Sequence, residues 1–277
     1  MNDSVRLSLQ EYGRGIAGGL LFSLPMLYTL EMWQFGFILP PARLLVYAVA
    51  TYVLLLGYNR YAGLHHDATW QEVAVDSIEE MGIGISLSAL FLTVIGRITS
   101  DMAFSEMVGK TVIVGMTVAI GVSVGTAQLG GDEAGKSVRQ PARKRPSAFH
   151  EQLVIAFIAA ILVSGSIAPT DEVMFLGMYL APLNLTVLAV LSLALTAMIL
   201  FYADFVGSSR HVPDGLGVLM IAGRSISSYI VALAASAVML WFFGRFEGAS
   251  LIHGLSATVS LGLVSTLGAS AGRLLLQ

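Results

Sequence analysis

Eight long apolar runs order the chain: Ile16–Trp33, Ala42–Tyr61, Ile78–Ile98, Met107–Ala127, Gln152–Pro169, Leu183–Phe205, Ile226–Phe243 and Leu255–Leu275. Each approaches the roughly 20 residues that a helix needs to cross a hydrocarbon core of about 30 Å. The pattern predicts an all-α polytopic membrane protein of about eight transmembrane helices. The fifth and sixth runs also read as one broken stretch. Arg6, Glu11 and Arg14 precede the first run, which lacks a small-residue cleavage site and contains Pro25 and Glu31. It reads as a retained span rather than a cleaved signal peptide.

The longest polar segment, GGDEAGKSVRQPARKRPSAFHE, divides the chain near its middle. A shift of 141 positions lays one half on the other without a gap. It pairs Ser23 with Ser164, Thr29 with Thr170, Glu31 with Glu172, Gly36 with Gly177 and Pro41 with Pro182. At the same shift Tyr61 meets Tyr202, Gly82 meets Gly223, Glu106 meets Glu247 and Gly121 meets Gly262. Shared apolar composition produces Leu/Leu and Val/Val matches; it does not produce two matched glutamates and a matched proline at one period. The expected organisation is a four-helix repeat over 1–129, a basic linker over 130–148 and a second four-helix repeat over 149–277. An even number of spans makes the repeats parallel, related by an axis along the membrane normal.

Composition sharpens this picture. Of 277 residues, 56% are hydrophobic and 12% charged, far from the quarter charged of soluble domains. A net charge of -3 gives no reason to expect nucleic acid as a partner. With no cysteine the chain has no disulfide, thiolate metal site or thiol nucleophile. Lys and Arg concentrate in the linker, at Lys136, Arg139, Arg143, Lys144 and Arg145. That bias places the linker and both termini on the cytoplasmic side of a bacterial inner membrane.

The matched glutamates are the candidate chemistry. Glu31 and Glu172 fall at the outer end of the first helix of each repeat, and Glu106 and Glu247 at the outer start of the fourth. Asp101 and Asp171 lie nearby. Such carboxylates form an acidic entrance, supply oxygen ligands to a hard cation, or exchange protons. The plainer reading is an interfacial residue beside the aromatic belt of Tyr28 and Trp33. Pro25 and Pro169 break the two equivalent helices, a pattern that marks transporter binding sites. Freed carbonyls there, with Ser23, Ser164, Thr29 and Thr170, offer uncharged oxygens; a harmless kink is the alternative. The matched WQFGFILPP and MFLGMYLAP segments suit a short re-entrant cap.

On the inner side Glu79 and Glu80 open the third helix, with Asp76 or Ser77 as its cap, where the helix dipole favours them. Arg224 in the second repeat is a candidate gate partner for Glu80. His65-His66-Asp67 has no metal-site spacing. Gly121-Val-Ser-Val-Gly125 matches a hydrolase pattern that needs a strand–turn–helix, so it reads instead as a small-residue packing face, like Gly268–Gly272. Both faces suit the pseudo-symmetry axis or a dimer interface.

GGLLFSLPMLYTLEMW, followed by eight spans and a basic central loop, resembles a family of bacterial integral membrane proteins of unknown function. The resemblance implies a polytopic inner-membrane protein and transfers no site residues. The residues themselves point to a non-enzymatic permeation protein for a cation or proton, an ion- or proton-coupled transporter without cofactor. Its partners are the lipid bilayer, a small cation or proton, and a second copy of the chain. The alternatives are a dimeric cation channel with a pseudo-tetrameric pore, and a scaffold or sensor whose basic loop binds a partner or anionic lipid.

Overall fold

A computed structural model describes residues 3–63, 68–128, 148–207 and 214–274, and every regular element among them is α-helical. The chain divides into two units, Met1–Arg145 and Pro146–Gln277. Unit 1 holds α1 (Asp3–Leu27), α2 (Leu30–Ile38), α3 (Pro41–Ala62), α4 (Trp70–Val94) and α5 (Phe104–Gln128). Unit 2 holds α6 (Phe149–Gly165), α7 (Asp171–Tyr179), α8 (Pro182–Gly207), α9 (Asp214–Phe242) and α10 (Leu251–Leu274). His65-His66-Asp67 and the basic segment from Lys136 to Arg145 lie outside the described residues.

Among the described residues six helices are long and apolar enough to cross a membrane: α3, α4, α5, α8 over Pro182–Leu200, α9 over Ile221–Phe242, and α10. A seventh span arises if α1 and α2 count together, bent by 85° at their junction. The protein is therefore a polytopic helical membrane protein, with fewer simple spans than the eight runs suggested. The difference lies in the first run of each half. Ile16–Trp33 is a helix, a break and the start of another helix, and Gln152–Pro169 covers most of a 17-residue helix that starts at Phe149, then a break.

Proline chemistry explains the breaks. Pro25 stands in the last turn of α1, which ends two residues later at Leu27. Thr29, extended, then starts α2, and Thr170, also extended and following Pro169, starts α7. Each of these short helices has nine residues, about 14 Å at the α-helical rise, too short to cross a bilayer. Pro41 and Pro182 open the next helices, where a missing N–H costs nothing.

The two units use one plan. In unit 1, α5 packs on α1, α2, α3 and α4, while α4 also meets α1 and α3. In unit 2, α10 packs on α6, α7, α8 and α9, while α9 also meets α6 and α8. Period matching is strict where helices two and three begin: α2 and α7, and α3 and α8, start 141 residues apart. It slips at the last hairpin, since α4 ends at Val94 but α9 at Phe242, and α5 starts at Phe104 but α10 at Leu251. The gapless alignment thus fails for Glu106 and Glu247: Glu106 lies in the first turn of α5, whereas Glu247 lies in the turns preceding α10.

Two further expectations need correction. Glu79 and Glu80 do not open a helix, because α4 starts at Trp70, three turns earlier. Thr69 and Glu72 form its capping box, with the Thr69 N–H donating to Glu72 Oε2 at 2.7 Å. The glycine faces serve each unit internally. Gly125 lies directly against Gly18, joining α5 to α1, and Gly272 lies against Ala159, joining α10 to α6.

Candidate functional site

At the α2 end of unit 1, Glu31 is half-buried in the first turn of α2. Trp33 is anchored there: its indole N–H donates to the Leu27 carbonyl at 3.0 Å, and the Arg97 guanidinium lies 4.1 Å from its ring centre. Gly36 lets α2 press onto the backbone of Lys110. Lys110 is buried, pairs with Glu106 at 2.6 Å and donates to the Arg97 carbonyl at 3.3 Å. Asp101 is exposed in the α4–α5 connection, where the Thr99 hydroxyl holds its carboxyl below the usual range. In unit 2, Glu172 and Asp171 are exposed, and Asp171 pairs with Arg245 at 2.7 Å. The expected acidic entrance is thus neutralised at Glu106 and Asp171, because a loop or helix cation holds each carboxylate.

The hydroxyls at the breaks are also committed locally. Thr29 donates to the Pro25 carbonyl, Thr170 to that of Ile167 at 2.9 Å, and Ser164 to that of Ala160 at 2.6 Å. Of these acceptors the Pro25 carbonyl is one of the last four of its helix, which a helix end leaves without an intrahelical N–H partner. Ser23 alone of the four is buried without a hydrogen-bond partner, beside Gly121. Lys110→Met is expected to free the 95–103 connection while α5 stays helical. Limited proteolysis reads this as new cleavage there, and an unchanged digestion pattern would show that the lysine does not hold the loop.

The opposite end of unit 1 is built differently. A cavity of about 290 Å³ lies among α1, α3, α4 and α5, lined by Tyr12, Asn59, Asp76, Glu79, Glu80 and Ser123 among others. Glu80 is 9% exposed, and Asn59 reaches it from α3, donating Nδ2 to Oε2 at 2.8 Å. The same amide donates to Ser77 Oγ at 3.1 Å, and Ser123 Oγ donates to its Oδ1 at 2.8 Å. Both ends of the Asn59 amide are therefore in use, and α3, α4 and α5 are joined through one side chain. On the rim, the Tyr12 hydroxyl donates to Glu79 Oε1 at 2.9 Å, linking α1 to α4. Local sequence explains the inward turn. Val73, Ser77, Glu80, Gly84, Ser88 and Leu92 recur at three- and four-residue intervals and form the buried stripe of α4.

Glu79 and Glu80 are thus the expected carboxylates that line this pocket, Glu80 the buried one of the two, whereas Glu31, Glu172, Glu106 and Glu247 do not line it. Arg224 stands in α9 of unit 2. Asn59, Tyr12 and Ser123 were missed by the sequence reading. Their signal was asymmetry between halves: at the shift that aligns α3 with α8, Asn59 faces Leu200, which is fully buried. Among the described residues no three His, Asp or Glu side chains converge as a metal-ligand set. The pocket therefore offers dispersed carboxylate, amide and hydroxyl oxygens.

No curated protein and no solved structure matches the chain significantly. A family model does, over residues 11–276, which is nearly the whole sequence and includes both units. The chain belongs to the integral membrane protein family DUF2391, a family of unknown function.

Proposed function

We propose that the protein is a non-enzymatic, cation-handling permeation protein, an ion- or proton-coupled transporter, whose binding place is the Glu80 pocket of unit 1. One observation carries the reading: a carboxylate buried inside an apolar helix opens onto a 290 Å³ cavity and is oriented by a fully used amide. Intramembrane carboxylates are costly and mark ion or proton paths, because the charge must be met by a proton or a cation. Glu79 and Asp76 beside it raise the local cation concentration. Glu31 keeps a subordinate role in this proposal, as the approach from the α2 end of unit 1, and Glu172 is its counterpart in unit 2.

Flux in proteoliposomes tests it, with Na⁺, K⁺ and a pH gradient as probes. Glu80→Gln keeps the hydrogen-bonding shape and removes the charge. It is expected to lower flux by about tenfold or more, in line with the loss of a principal charged group. Glu31→Gln and Glu172→Gln are expected to act weakly. Silence of the unsubstituted protein with every ion would favour the scaffold reading. Normal flux by Glu80→Gln with loss in the other two would return the site to the matched glutamates.

A further inference from the structure

Unit 2 buries a cation that the proposed function does not use. Arg273, in the last turn of α10, is 1% exposed. Its Nη1 donates to the Arg224 carbonyl at 2.8 Å and to Ser228 Oγ at 2.9 Å, both on α9. The Phe149 ring, at the start of α6, lies 5.5 Å from the guanidinium carbon. Nε and Nη2, although buried, have no hydrogen-bond partner. These two nitrogens are not an arbitrary remainder. Their N–H bonds run parallel along one edge of the guanidinium, the edge that grips an oxyanion with two hydrogen bonds.

We propose that the Nε–Nη2 edge of Arg273 binds a phosphate oxyanion. Charge supports this. A buried guanidinium in a membrane helix needs an anion or a set of carbonyls, and here carbonyl and hydroxyl partners satisfy Nη1 alone. Among the described residues no carboxylate pairs with it. The Arg224 side chain adds a second positive charge close by, which raises the cost further unless an anion sits between them. Depth also agrees. Phe149 begins α6, Arg224 lies just inside the span that starts at Ile221, and Arg273 ends α10. All three occupy one end of unit 2, the level at which lipid phosphates and aqueous anions meet a membrane protein. A helix C-terminus attracts any cation, but that attraction does not distinguish arginine from lysine. The fork does.

The test uses the full chain purified in a maltoside detergent, which carries no phosphate of its own. One arm titrates inorganic phosphate, reading melting temperature and heat of binding. The other adds phosphatidylglycerol and counts retained lipid by native mass spectrometry. The unsubstituted protein is expected to bind one of the probes: retention of the lipid alone identifies a headgroup site, and binding of inorganic phosphate a free-anion site. Arg273→Lys keeps the charge and loses the parallel donors, and is expected to weaken that binding about tenfold or more. Should Arg273→Lys not fold, Arg224→Ala decides, since removing the second charge is expected to weaken binding by about threefold or more. Failure of the unsubstituted protein to bind either probe overturns the proposal. So does unchanged affinity in Arg273→Lys, or in Arg224→Ala where the lysine variant does not fold.

Discussion

Gly125→Val is expected to unseat α1 from α5 and to cost unit 1 about 3 kcal/mol or more, at the upper end of what overpacking does. A Cβ on Gly125 would fall on the Cα of Gly18, and one on Gly18 would fall on Gly125. Backbone faces backbone there, so no side chain can rotate aside. Small residues at such crossings let membrane helices approach closely enough for dispersion to hold them, where no hydrophobic force between helices operates. Gly82 supplies the control. It is also a helix glycine, on α4, but a Cβ there meets nothing within 4 Å. Gly82→Ala is expected to change stability by less than about 1 kcal/mol, in the direction set by helix propensity. Unfolding in mixed micelles separates the two, and equal midpoints for Gly125→Val and Gly82→Ala would refute the close-packing account.

The contrast shows which features of this chain were readable. Apolar run length revealed a polytopic helical protein, since lipid demands long helices whatever their neighbours. The fixed period of 141 coincides with the spacing at which helices two and three of each half begin. It misled at the last hairpin, because counting identities along a gapless shift cannot detect that α9 and α10 meet several residues later than α4 and α5 do. Run length alone passes over the break after Leu27, where Tyr28 and Trp33 keep the hydropathy high, but Pro25 marked it in the sequence. The start of α4 was legible in Thr69-Trp70-Gln71-Glu72, a capping box, but the polar character of Gln71, Glu72 and Asp76 drew the boundary inward to Ile78. Glu80 followed from that error. A carboxylate counted as a first-turn dipole partner is instead three turns inside, where burial makes it chemically consequential. Asn59 was invisible for a different reason, since only the folded arrangement of α3, α4 and α5 assembles its three partners.

Asn59→Leu is expected to destabilise unit 1 by about 2–4 kcal/mol, more than a volume-matched core change, because it removes the one amide that hydrogen-bonds α3 to both α4 and α5. Glu80 loses its 2.8 Å donor and Ser123 its 2.8 Å acceptor, while Ser77 retains the Val73 carbonyl at 2.7 Å. The triple variant Asn59→Leu/Glu80→Met/Ser123→Ala removes the amide's partners on α4 and α5 along with the amide. It is expected to recover most of the lost stability, since an apolar replacement of a buried polar set is commonly neutral or better. Unit 2 supplies the precedent, because Leu200 fills the Asn59 position of α8 and is fully buried. Function separates from stability at this point. If the pocket carries cations, the triple variant folds as firmly as the unsubstituted protein and passes no ions in proteoliposomes. A triple variant as unstable as Asn59→Leu would show that the polar cluster is a structural tie between α3, α4 and α5. A stable triple variant with normal flux would remove Glu80 from the path, while leaving the packing of the five helices as described.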